Sequence, residues 1–256
     1  MELKNPFFSV ITVSYNSQET IGQTLKSVLN QTYTDFEYII IDGGSTDNTL
    51  SEIEKYRNLF SQKNIKLTCI SEKDGGIYDA MNKGIKLSKG DWISIVNSDD
   101  FLSLNALELV INILNRNSNP DLIHGNIRVF SEADTEVLKP DLDLRILNVS
   151  MNIFHPSVFV RRKVYLDLKF FDKKYKLTAD WDFLKKVYNN GYHIQYIDEV
   201  LSNFRKGGAG SGFKKVHLIE RYNIRHKTRN FKNVFYDLKD LLIFLHSFLL
   251  PNKSRF

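Results

Sequence analysis

Short apolar runs alternate along this chain with stretches of helical periodicity. Phe7-Phe8-Ser9-Val10-Ile11-Thr12-Val13 reads as a buried strand, and Ile21, Leu25, Val28 and Leu29 then recur at helical spacing to about Asn30. Asn16 followed by Glu19 resembles a capping box ahead of that helix. Phe36 to Ile41 gives a second strand, with Leu50, Ile53 and Phe60 on the next helix. Ile65 to Ile70 gives a third strand, Tyr78 to Leu87 a short helix, and Trp92 to Val96 a fourth strand. The crossovers are long enough for parallel pairing, so the first hundred residues are expected to form a Rossmann-type α/β half. Leu122 to Phe130 reads as a further strand and turn, and Thr178-Ala179-Asp180-Trp181 opens a helix carrying Phe183, Leu184 and Val187.

The polar residues gather where the strands stop. Thr12 and Asn16, then Asp42, then Glu72 and Asp74, then Asp99 and Asp100 follow the four strands. One polar strand end is commonplace, but four on one edge of a parallel sheet describe a polar ligand crevice. Asp99 and Asp100 repel each other unless a cation lies beside them, and Mg²⁺ or Mn²⁺ takes one or two carboxylates plus phosphate oxygens. Their bland alternative is an acidic turn, with Ser103 as N-cap of the helix that follows. Asp42 precedes Gly43-Gly44-Ser45-Thr46. Its carboxylate suits the imide N–H of uracil or thymine, or the segment is a strand-to-helix turn capped by Ser45 or Thr46. No G-x-G-x-x-G follows the first strand and no G-x-x-x-x-G-K-[ST] loop occurs, which argues against dinucleotide and ATP-hydrolysing chemistry.

Four motifs together carry a resemblance. Ser9 to Asn16, Ile40 to Asp47, Gly76-Ile77-Tyr78-Asp79-Ala80-Met81-Asn82-Lys83-Gly84 and Asn97-Ser98-Asp99-Asp100 stand in the order and spacing of family 2 glycosyltransferases with the GT-A fold, over residues 6–215. The resemblance implies an inverting transferase that uses a nucleotide-activated sugar and a divalent metal. It puts Thr12, Tyr15 and Asn16 in the nucleotide pocket and Asp42 on the base. Asp74, Asp79, Lys83, Asp99 and Arg205 would also serve the donor. Asp99 and Asp100 match the acidic metal motif. Ser98 replaces its first acid, which leaves the split between metal and ribose contacts open.

His155 would ligate the metal or touch the diphosphate, the alternative being a hydrogen-bonded structural histidine. Asp180 aligns with the general base, against a plain first-turn acid favoured by the helix dipole. Trp181 is read as an aromatic floor for the sugar or as a core residue. Phe204-Arg205-Lys206-Gly207-Gly208-Ala209-Gly210-Ser211-Gly212 is either a lid over the diphosphate or a linker.

Composition adds the tail. The net charge is +5, yet residues 201–256 hold 12 Lys/Arg against 3 Asp/Glu while the rest holds 23 against 27. A basic segment ending in Leu241-Leu242-Ile243-Phe244-Leu245-His246-Ser247-Phe248-Leu249-Leu250 suits an interfacial helix, and otherwise a helix packed on the domain or on a second copy. No nucleic-acid motif accompanies the charge. Cys69 is the single cysteine, which excludes an intramolecular disulfide, and in its apolar run it reads as a small buried hydrophobe. With no signal peptide and no apolar run near the roughly 20 residues of a membrane span, the expected location is the cytoplasm, against the inner membrane face.

The expected architecture is therefore an α/β GT-A catalytic domain over 1–213, made of a nucleotide-sugar half (1–100) and an acceptor half (101–213). A basic amphipathic tail (214–256) follows. The expected reaction moves a sugar from a UDP-sugar to a glycan or polyprenyl-diphosphate-linked acceptor in surface polysaccharide assembly. Sugar-1-phosphate nucleotidyl transfer is one rival. A non-catalytic sugar-nucleotide-binding or membrane-scaffold protein is the other.

Overall fold

The structure is a computed structural model that describes residues 5–116, 119–207, 214–227 and 232–249. Its first half alternates β1 (Phe8–Ser14), α1 (Ile21–Leu29), β2 (Phe36–Asp42), α2 (Thr49–Gln62), β3 (Leu67–Ser71), α3 (Ile77–Leu87) and β4 (Trp92–Asn97). These strands pair in parallel in the order β3-β2-β1-β4, as the crossover lengths predict. Every residue of β1 and β2 is buried, because helices cover both faces of the sheet. Alternation along the strands divides the core. Ile11, Val13, Ile39, Ile41, Ile93 and Ile95 pack beneath α3, while Phe8, Val10, Tyr38, Ile40, Trp92 and Val96 pack beneath α1 and α2.

The second half continues the same sheet. It comprises β5 (Phe101–Leu102), α4 (Ala106–Leu114), β6 (Leu122–Phe130), β7 (Thr135–Leu138), β8 (Phe159–Arg161), α5 (Arg162–Asp167), α6 (Ala179–Asn189) and β9 (Ile194–Arg205). β8 runs antiparallel against β4 and carries the sheet onward through β6, β9 and β5. The two halves thus share one mixed sheet across residue 100. β5 brings the chain after Asp99-Asp100 back onto β9, with Phe101 opposite Asn203.

α7 (Lys215–Arg225) and α8 (Asn233–Leu249) close the chain. α7 lies on the main domain: Arg225, fully buried, donates to the Val149 carbonyl and sits over Trp181, and Lys185 donates to the Ile224 carbonyl. This is the packed-helix alternative for that part of the tail. α8 is tied to α7 through Asp237 and Asp240, which pair with Arg225, and through Asp240 with Arg221. No helix among the described residues is long and apolar enough to cross a membrane.

Several helix starts differ from the sequence expectation. Thr20, not Asn16, precedes α1, and no side chain caps it. Asn48 rather than Ser45 or Thr46 precedes α2, and Asn105 rather than Ser103 precedes α4. The displaced Asx and Ser groups bond across neighbouring loops instead, which competes with capping. Cys69 is only half-buried, since β3 is the outer strand of its end of the sheet.

Candidate active site

Register sets the site. Ser14 lies opposite Asp42, Asp42 opposite Ser71, and Val13 opposite Asn97, so four parallel strands end level and their loops share one edge. The loops after β1 and β4 are joined there by the Ser17 and Ser98 hydroxyls, 2.7 Å apart.

Asp99 and Asp100 form the electrostatic centre of that edge. Asp100 is 1% exposed, accepting from the Arg205 backbone N–H at 3.0 Å and the Asn97 amide at 3.3 Å. Burial, and then the neighbouring Asp99 charge, push its pKa up to about 7, and burial also raises that of Asp99. The Arg205 guanidinium supplies only partial relief. It donates to the Asp99 carbonyl at 3.3 Å and to Gln23 at 2.6 Å, and stacks 4.7 Å from the Phe130 ring. Among the described residues neither carboxylate forms a salt bridge, and the buried Asn97 Oδ1 has no donor. Two under-compensated carboxylates and an unpartnered amide oxygen form an all-oxygen donor set that fits Mg²⁺ or Mn²⁺, with phosphates completing the shell.

The expected third ligand is elsewhere. No group of three His, Cys, Asp or Glu that could hold a metal occurs among the described residues, so His155 does not join Asp99 and Asp100. His155 begins a 3₁₀ turn (His155–Ser157) and is buried edge-on to Phe171 at 5.8 Å. Burial lowers its pKa, with the Asp180 charge opposing, which places the imidazole on the Asp180 side of the site.

Tyr15 and Asp74 flank Gly43. A Cβ on Gly43 would stand 2.8 Å from Asp74 Oδ2 and 3.4 Å from the Tyr15 ring, so only glycine leaves this niche open. Tyr15 is itself 63% exposed at the rim. Asp42 lies beneath, wholly enclosed. It accepts from Ser14 (3.0 Å), Ser71 (2.6 Å), the Ser45 hydroxyl (2.5 Å) and the Gly44 and Ser45 backbone N–H groups (3.1 and 2.8 Å). Burial raises its pKa but these donors outweigh it, leaving the carboxyl below its ordinary value. In this arrangement Asp42 organises the turn.

Thr12 is not in the crevice. It lies mid-strand, fully buried, accepting from the Tyr38 hydroxyl at 2.9 Å on the α1–α2 side of the sheet. Asn16, held at φ 47°, accepts from Thr46 N–H at 2.9 Å and clasps two loops together. Asp79 pairs with Lys173 at 2.9 Å, and Lys83 pairs with Glu72 at 2.8 Å. Both belong to an ionic network beside the β3–α3 loop.

Asp180 stands in the first turn of α6, half-buried. Its Oδ1 accepts from the Tyr78 hydroxyl at 2.9 Å and from the Trp181 N–H at 2.9 Å. Tyr78 opens α3 directly after the β3–α3 loop, so this bond ties Asp180 to the nucleotide-side edge. Trp181 is core: it is 1% exposed and its indole donates to the Leu147 carbonyl. Gly208 to Gly212 of the expected lid lie outside the described residues. Sequence reasoning missed Tyr78 and Asn97. The signal for Tyr78 was a hydroxyl on the buried face of an amphipathic helix.

Comparison with known proteins agrees with this arrangement. The family model described as Glycosyl transferase family 2 matches residues 9–178. A PGL/p-HBAD biosynthesis glycosyltransferase of Mycobacterium bovis is 31% identical over 230 residues, covering 86% of this chain and 88% of that protein. An uncharacterised glycosyltransferase of Methanocaldococcus jannaschii is 25% identical, covering 97% and 89%. S. aureus TarS 1–349 in complex with UDP-GlcNAc shares the fold with TM-score 0.69 at 22% identity, over 96% of this chain and 74% of that one. The mannosyltransferase PcManGT from Pyrobaculum calidifontis, in complex with GDP-Man and Mn²⁺, shares it with TM-score 0.66 at 16% identity, over 98% and 77%. The mixed α/β architecture is that of GT-A glycosyltransferases, and the reaction class is glycosyl rather than nucleotidyl transfer. The chain belongs to glycosyl transferase family 2.

Proposed function

We propose that this enzyme is a metal-dependent inverting transferase moving a sugar from a UDP-sugar to a glycan or polyprenyl-diphosphate-linked acceptor, in surface polysaccharide assembly at a cytoplasmic membrane face. The observation that carries the metal and donor parts is the Asp99–Asp100 pair at the shared strand edge, two acids that form no salt bridge among the described residues and are only partly relieved by the Arg205 charge. Structural neighbours in complex with UDP-GlcNAc or with GDP-Man and Mn²⁺ support the same reading.

Asp99, Asp100 and Asn97 would hold the metal, which when bound neutralises charge on the departing diphosphate. Tyr15, at the rim of the Gly43 niche, offers a ring face to the base, and Asp74 faces the same niche as an acceptor for donor hydroxyls. Asp180 removes the acceptor hydroxyl proton as that oxygen attacks the anomeric carbon. The new C–O bond forms opposite the breaking bond to phosphate, and UDP leaves with both electrons. A positioned base of this kind contributes about 10²–10⁴-fold.

The test is release of UDP from UDP-glucose, UDP-galactose and UDP-N-acetylglucosamine, with and without Mn²⁺ or EDTA. Turnover that requires metal and falls at least about 100-fold in both Asp99→Asn and Asp180→Asn supports the reading. Turnover indifferent to EDTA and to both changes would sink it.

A further inference from the structure

We propose that Asp180 is held in its working position by two positioning residues, Tyr78 through its hydroxyl and Glu220 through the lead-in to α6, which gives α7 a part in setting the base. The inference rests on Asp180 being the base.

The first hold is Tyr78. Gly76, at φ 114°, turns the chain into α3 and sets Tyr78 one residue inside the helix. Its ring is 7% exposed and packs 5.4 Å from Phe171, so the phenol has one direction to point. The hydroxyl donates to Asp180 Oδ1, which also accepts from the Trp181 N–H. Two donors on one oxygen fix the plane of the carboxylate. Among the described residues none donates to Oδ2, which is the oxygen left to receive a proton. Burial, then the Asp180 charge, push the phenol pKa well up, so Tyr78 stays a donor throughout the working pH range.

The second hold is Glu220. It is 6% exposed, and its two oxygens accept from three consecutive residues: Lys176 N–H at 2.6 Å, Leu177 N–H at 3.0 Å and the Thr178 hydroxyl at 2.9 Å. Thr178 is the N-cap residue of α6 but makes no side-chain cap bond. Its hydroxyl is turned to the buried Glu220 instead, so the lead-in to the helix is held by a residue distant in sequence rather than by its own cap. Asp180 follows two residues later. The family model ends at residue 178, so both the base and the helix that steadies it lie beyond the matched segment.

A carboxylate that only stabilised the loop would change melting and leave turnover per folded molecule intact. A hold on the base acts on kcat, since a displacement near 1 Å costs on the order of 100-fold. The experiment uses the full chain with Mn²⁺ and the fastest of the three UDP-sugars above, comparing Tyr78→Phe, Glu220→Gln and Asp180→Asn by kcat, donor KM and melting. The expected result is a 10- to 100-fold fall in kcat for Tyr78→Phe and Glu220→Gln, with donor KM within threefold of the parent. Tyr78→Phe keeps the ring and its packing and decides the phenol's part; should Glu220→Gln fail to fold, Thr178→Val, which removes the hydroxyl that Glu220 accepts from, decides the part of α7 by the same kcat criterion. Loss of turnover in Asp180→Asn, with both other variants within threefold of the parent kcat, overturns the positioning role and leaves the base standing. A change confined to KM or to melting overturns it too. Wild-type turnover in Asp180→Asn removes the base itself.

Discussion

Asp42 and Asp100 are both enclosed, yet their surroundings drive them in opposite directions. Asp42 collects five donors and keeps its charge, whereas Asp100 has two donors and an acidic neighbour, and its pKa rises to about 7. The folded protein thus retains a proton on Asp100 that the unfolded chain, with its ordinary value of 3.8, has already released. Stability from this group is present at low pH and declines as pH rises from about 4 to about 7. Asp42 has the reverse sign: its contribution is present above its unfolded value and lost as pH falls through its depressed one. We expect metal-free Asp100→Asn to exceed the parent in stability by about 4 kcal/mol at pH 8 and to match it near pH 4, by urea denaturation. Mn²⁺ should stabilise the parent at pH 8 and have little effect on the variant. A variant less stable than the parent at pH 8 without metal refutes the assignment. The sequence displays these acids, but not what encloses them. Of the donors to Asp42, Gly44 and Ser45 are local, but Ser14 and Ser71 stand 28 and 29 residues away and are found only once the strands are aligned. Thr12 was legible and misread, because strand alternation already puts it on the Val10 face, away from the crevice.

At the scale of elements, hydrophobic periodicity located the strands and helices of the first half, where β1 and β2 are buried on both faces and α3 on one, but not the exposed β7 or the half-exposed β9. Helix starts were harder to read, because Asn, Ser and Thr in these loops have cross-loop partners that local sequence does not reveal. Close packing of α3 on β1 depends on Gly84. A Cβ there would lie 2.5 Å from Ile11 Cγ2 and 3.5 Å from Ile41 Cγ1, both side chains buried in the sheet. Alanine is a better helix former than glycine by about 1 kcal/mol, but overpacking costs about 1–3 kcal/mol. Gly84→Ala is therefore expected to destabilise by about 1–2 kcal/mol in urea. Ile11→Ala and Gly84→Ala together should cost less than the sum of the two singles, since the truncated side chain admits the new methyl group. Additive singles would mean that the helix has shifted instead. Because Tyr78 rides on α3, the same shift is expected to lower kcat before the protein unfolds.

Across the whole molecule, α8 has its polar side inward. Residues 214–256 contain only three acids, Glu220, Asp237 and Asp240, and all three are engaged within the protein by α6's lead-in, Arg221, Arg225 or His226. Val234, Phe235, Leu238, Leu241, Leu242 and Leu245 are left facing outward, 41–66% exposed, at positions that share one helix face. Composition announced a basic, apolar tail, but not which face would turn out, because that depends on where Arg221 and Arg225 stand on a different helix. An apolar ridge whose own helix carries only acids paired with Arg221 and Arg225 suits an anionic lipid surface better than a second cationic copy of itself. We expect the full chain to float with vesicles rich in phosphatidylglycerol, to bind phosphatidylcholine vesicles far less, and to lose binding as salt is raised. Leu238→Glu with Leu242→Glu should weaken vesicle binding on the order of 100-fold, since two exposed leucines no longer insert. UDP release in solution should be unchanged, because both side chains are exposed and lie on the face of α8 away from its pairing with α7. Vesicle binding that survives both substitutions argues against docking through α8. A monomer–dimer equilibrium that they abolish, with no vesicle binding by the parent, would assign the ridge to a second copy of the chain.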